Sequence, residues 1–96
     1  MPRWSTQLEK FVMKPSPGEA KIFGAAMKRW REKRGLTQEG LAGLAGIASS
    51  YLSHIERGEH VPSLTIILKL CLALNLTPGE LLSDFTPASM KKLRFE

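Results

Sequence analysis

The same four-residue device, a hydroxyl residue followed by Pro-Gly-Glu, occurs at Ser16-Pro17-Gly18-Glu19 and again at Thr77-Pro78-Gly79-Glu80. Each reads as a helix start. The hydroxyl accepts from an otherwise orphaned amide, proline fixes the first helical φ, and the glutamate reaches back to the cap. A chain opened and closed by such signals is committed to short, individually capped helices. The residues between them agree. Phe23, Met27 and Trp30 share one helical face, and Gly35 is placed to close a first helix ending near Arg34. Thr37 caps a second helix over 38–45, with Leu41, Ala42, Leu44 and Ala45 apolar. Gly46 turns the chain and Ile47 plugs the core. A third helix covers about 49–57, with Leu52 and Ile55 inward and Gly58 as its stop. Ser63 caps a fourth, whose expected buried stripe is Leu64, Ile67, Leu68, Cys71 and Leu74, closed by Asn75. Leu81, Leu82 and Phe85 follow in a fifth. No stretch alternates like a strand, so the predicted fold is all-α.

With 96 residues, 43% of them hydrophobic and 24% charged, the chain suits one domain with a modest core. The domain is expected over 16–85. It is preceded by an arm over 1–15 (a short helix, an added strand or neither) and followed by a basic tail over 86–96, since Pro87 reads as a stop. The N-terminus lacks the apolar segment of a signal peptide, and no apolar run is long enough to span a bilayer. The single cysteine, Cys71, cannot form an internal disulfide, which suits a reducing cytosol.

The net charge is +5, unevenly placed: residues 1–34 hold nine Lys/Arg against three Asp/Glu, and residues 35–96 hold five against six. Lys28, Arg29, Arg31, Lys33 and Arg34 form a basic run. It suits a polyanion, because each neutralised phosphate releases counterions, and it is equally consistent with a solvated helix face. The third helix is more specific. Ser49, Ser50, Ser53, His54 and Arg57 share its outward face, and small donors and acceptors on a projecting helix match base edges and phosphates. A catalytic reading has little to build on. His54 and His60 are the only histidines, and no Cys/His/carboxylate cluster has metal spacing. The serines carry no nucleophile elbow, the glycines no phosphate-loop spacing, and Cys71 reads as core. Neither metal nor cofactor is expected.

Residues 23–82 resemble the phage-repressor-like (Xre, Cro and CI type) helix-turn-helix family. The resemblance is carried by Phe23-Gly24, Met27, Trp30-Arg31, Arg34-Gly35-Leu36-Thr37-Gln38-Glu39, Leu41-Ala42 and Ala45-Gly46-Ile47. It continues through Tyr51-Leu52-Ser53-His54-Ile55-Glu56-Arg57-Gly58, Pro62-Ser63-Leu64, Ala73-Leu74 and Pro78 to Leu82. It implies a five-helix, lambda-repressor-like domain whose third helix enters the major groove of double-stranded DNA. By position, Ser49, Ser50, Ser53 and His54 would meet base edges. Gln38, Tyr51, Arg57, Arg34 and Lys33 would hold phosphate or brace the reading helix; for Tyr51 a half-buried packing role weighs equally. Arg31 and Glu56 match a structural ion pair that ties the first helix to the third. A transcriptional regulator, cytoplasmic and associated with the nucleoid, is implied. It would act as a homodimer on an inverted repeat, with Leu81, Leu82, Phe85, Leu93 and Phe95 as candidate dimer contacts. The competing reading is an antitoxin or adaptor module that meets a protein partner through its arm or tail. Departures are plain: Ala48 stands where a hydroxyl cap is usual, Gly40 replaces a helix former, and Ile66 falls where a polar residue is expected.

Overall fold

The structure, a computed structural model, describes residues 16–93. The arm over 1–15 and Phe95 lie outside the described residues. Every regular element among those described is a helix: α1 Pro17–Lys33, α2 Gln38–Ala45, α3 Ser49–Glu56, α4 Leu64–Leu74, α5 Pro78–Leu81 and α6 Pro87–Lys91.

The caps explain the boundaries. Thr37, Ser63 and Thr77 accept from Gly40 N, Ile66 N and Glu80 N at the starts of α2, α4 and α5. At Thr77 the device closes on itself, because the Glu80 carboxylate accepts from Thr77 N at 3.0 Å. Ser16 differs from expectation. Its hydroxyl accepts from Gly18 N at 3.3 Å, one residue short of Glu19, so it is a simple cap. The left-handed stops fall where the chain must leave a helix. Gly46, at φ 71°, turns α2 toward α3, and Ile47 N donates to Ala42 O at 3.0 Å across the turn.

The core unites Phe23 and Met27 of α1, Leu41, Ala42 and Ala45 of α2, and Leu52 and Ile55 of α3. Leu70, Cys71 and Leu74 of α4, then Leu76 and Leu81, complete it. α1 packs mainly on α3, while α2 packs on both α3 and α4. Burial pushes the Cys71 thiol up, consistent with a packing role and not with a nucleophile.

Three further expectations are corrected. The buried face of α4 is rotated: Leu64 and Leu68 are 67% and 47% exposed, Leu70 is buried, and Ile66 leans on the core rather than standing opposite it. Leu81 is completely buried in its own core and offers no surface to a second copy. The segment after Phe85 is not simply a tail. Thr86 caps α6 with Pro87 at its first turn, so this proline opens a helix where a stop was expected. Leu93 then returns to the start of α1, close enough that a Cβ on Gly18 would meet its Cδ2 at 2.9 Å.

Candidate nucleic-acid interface

α2, the turn at Gly46-Ile47-Ala48 and α3 form a helix-turn-helix. Ile47 is half-buried against the core and anchors the turn. Ala48 supplies no side-chain cap, so the first amides of α3 are left as outward donors beside Ser49 and Ser50. Leu52 and Ile55 are fully buried, and this fixes the helix about its axis. Ser50 and His54 are then exposed, and Ser49 and Ser53 are partly so. The four candidate base-reading residues thus occupy one accessible side of α3, with no large apolar residue among them.

The other side of α3 is held by charge. Arg31 Nε and Nη2 donate to the two Glu56 oxygens at 2.7 and 3.0 Å. The third guanidinium nitrogen, Nη1, donates to Leu36 O at 2.8 Å. Gln38 Nε2 adds a bond to Glu56 Oε1 at 3.1 Å, so Gln38 braces α3 through its acid. The side chains of Arg31 and Glu56 are only 12% and 3% exposed, and the bonds to Glu56 raise the Arg31 pKa further. Two-point geometry with its remaining donor satisfied is the arrangement in which a low-solvent ion pair is tolerated.

Gly24 completes the joint, a role that its place in the Phe23-Gly24 match does not disclose. A Cβ there would stand 2.4 Å from Ile55 O and 2.9 Å from Glu56 O, so α1 and the end of α3 touch backbone to side-chain-free backbone. A glycine inside a helix is unfavourable by roughly 1 kcal/mol relative to alanine, and that oddity was the available signal.

The basic run is largely engaged within the chain. Arg29 pairs with Asp84 at 2.8 Å, and Arg31 with Glu56. Arg34 Nε donates to Leu74 O at 3.0 Å, closing the end of α4. Lys33 and Arg34 both lie over the Trp30 ring, at 4.9 and 5.4 Å from its centroid. Tyr51 is half-buried, edge-on to His60 at 5.1 Å. Arg57, at the outer end of α3, donates to Ser53 Oγ at 3.0 Å and to both oxygens of Glu59. Among the described residues no group of His, Cys, Asp and Glu is placed to hold a metal. No helix among them is long and apolar enough to cross a membrane.

Comparison with known proteins agrees with this geometry. A family model described as a helix-turn-helix domain matches residues 22–85. The uncharacterized HTH-type transcriptional regulator YazB of Bacillus subtilis is 43% identical over 63 residues, 66% of this chain and 91% of that protein. The crystal structure of the restriction-modification controller protein C.AhdI from Aeromonas hydrophila superposes with a TM-score of 0.64 at 43% identity, covering 66% of this chain and 96% of that one. A SinR/SinI protein complex superposes with a TM-score of 0.60 at 31% identity, covering 72% of each chain. The chain belongs to the phage-repressor-like helix-turn-helix family, whose members are DNA-binding transcriptional regulators.

Proposed function

We propose that this protein reads a specific double-stranded DNA sequence with α3 and represses by occupying its site. The observation that carries the reading is the polar outward side of α3, with Ser49, Ser50, Ser53 and His54, on a helix held rigidly from behind by Arg31, Gln38 and Glu56. The free amides at Ala48-Ser49-Ser50 suit a phosphate, Tyr51 and Lys33 supply further polar groups, and Arg57 is held back by Glu59. Arg34 and Gln38 support the fold more directly than the DNA.

One domain of this size covers few base pairs, so two copies on an inverted repeat complete the reading, with their α3 helices about 34 Å apart. The apolar contact between copies falls to residues that one copy leaves open. Leu64, Leu68 and Leu72, a turn apart along α4, are 67%, 47% and 83% exposed. Leu82 and Phe85 contribute less, being half-buried beside Glu19, Phe23 and Val61, and Leu93 already packs near Gly18.

Selection of bound duplexes from a random library at physiological salt tests the reading. The expected result is an enriched inverted repeat. Weak, salt-sensitive binding without sequence preference would overturn it and would favour a module whose main partner is a protein.

A further inference from the structure

The outward side of α3 ends in a polar network at the surface. His54 Nδ1 lies 2.6 Å from Glu59 Oε1. Arg57 donates from Nε to Glu59 Oε2 at 3.1 Å and from Nη2 to Oε1 at 3.0 Å, and its Nη1 donates to Ser53 Oγ. One carboxylate, just past the end of the helix, therefore holds two of the outward residues, His54 and Arg57, and reaches Ser53 only through Arg57. His54, Arg57 and Glu59 are about half-exposed, so the network serves no buried core.

The chemistry of the contact decides where the imidazole proton sits. A carboxylate offers only lone pairs, so the 2.6 Å approach requires the hydrogen on His54 Nδ1. The Arg57 guanidinium, which has only donors, also lies 3.2 Å from Nδ1 and would favour the opposite form. The shorter contact, to the carboxylate, prevails. In the neutral ring Nε2 is then an acceptor, and it has no partner among the described residues.

Resting on the reading of α3 as the recognition helix, we propose that Glu59 is a positioning residue for base recognition. It holds His54 as the Nδ1–H form, so that Nε2 accepts from an exocyclic base amine, N6 of adenine or N4 of cytosine, in the major groove. These amines are the donors that bases present there, whereas guanine and thymine present acceptors at the matching positions. Glu59 simultaneously occupies Arg57, which reaches a phosphate only by exchanging this carboxylate for it.

Two measurements on the full chain test this. Nitrogen-15 NMR of the histidine side chains, taken where the titration shows the rings neutral, reports the tautomer without DNA, and His60 is the internal reference. The expected result is Nδ1–H at His54 in the wild type and a shift toward Nε2–H in Glu59→Ala. Duplex selection with the same two proteins reads the consequence. A preference for adenine or cytosine at one position of each half-site should weaken about fivefold in Glu59→Ala, the worth of one hydrogen bond. An Nε2–H ring in the wild type, or a tautomer indifferent to Glu59, overturns the proposal. So does a tautomer shift that leaves every base preference in place. A wild type that enriches no sequence defeats the recognition reading itself, and the proposal with it, while the spectra still show whether Glu59 governs His54.

Discussion

Two arginine–glutamate contacts flank α3, one buried between helices and the other local and exposed. Arg31 and Glu56 meet at 2.7 Å with side chains 12% and 3% exposed, whereas Arg57 and Glu59 meet at 3.0 Å with side chains 55% and 49% exposed. Behind the helix, removing one partner strands the other in a poorly solvated place. In front of it, water replaces whatever is removed. The same pair of residue types therefore serves architecture on one side and, in the proposed reading, adjustable recognition on the other.

The largest effect should come from Glu56→Ala. It leaves the Arg31 guanidinium and the Gln38 amide without their acceptor and should lower stability by about 3–5 kcal/mol. Thermal melting beside Ser53→Ala checks this, since the serine variant removes one exposed hydroxyl. Equal melting temperatures would erase the contrast between the two sides.

Gly24→Ala comes next. The added methyl group collides with the carbonyls of Ile55 and Glu56, which cannot move without moving α3. A loss of about 1–3 kcal/mol is expected, the usual range for overpacking, together with weakened DNA binding. A variant that melts and binds like the wild type would show that α1 and α3 are not seated as described.

Ala48→Ser should act in the opposite sense, because it supplies the missing cap of α3 and should add roughly 1 kcal/mol. The informative comparison is with DNA affinity. If the α3 amides hold a phosphate, the new hydroxyl competes with it, and the variant becomes more stable but binds more weakly. Gains in both would place the phosphate elsewhere.

Glu59→Ala should have the smallest effect on melting and a visible one on binding. With Arg57 released, the salt dependence of sequence-independent binding should steepen by about 0.9 in the log–log slope, one further phosphate contact. An unchanged slope would mean that Arg57 does not reach the backbone. Arg57, and secondarily His54, hold the Glu59 carboxyl below its ordinary range. A folded-state pKa that is lowered contributes stability above the unfolded value, lost as pH falls through the folded one. Any contribution of Glu59 should therefore fade below about pH 4.3, where an ordinary glutamate takes up its proton. Comparing wild type and Glu59→Ala in acid melts checks the sign.

What the sequence made legible was local. Thr37, Ser63 and Thr77 cap within three residues, and Gly35, Gly46, Gly58 and Asn75 all adopt positive φ at helix ends. The phase of α4 was not legible, because all its residues but Thr65 and Lys69 are apolar and no polar face orients it. α6 was missed because Thr86-Pro87 lacks the glutamate that marked the other two proline-led starts; Ser89 takes its place. The engagement of the basic run was hidden for a different reason. Arg29 meets Asp84 and Arg34 meets Leu74 O across 55 and 40 residues, contacts that only the packed helices create.

Base reading by α3 is tested by the ratio of affinities for the selected duplex and a scrambled one, measured for the wild type and for Ser49→Ala/Ser50→Ala. The double variant should reduce this ratio about tenfold or more, taking each lost hydroxyl contact at roughly 1 kcal/mol, with the melting temperature nearly unchanged. An unchanged ratio would contradict it, because the outward side of α3 would then not be reading the bases.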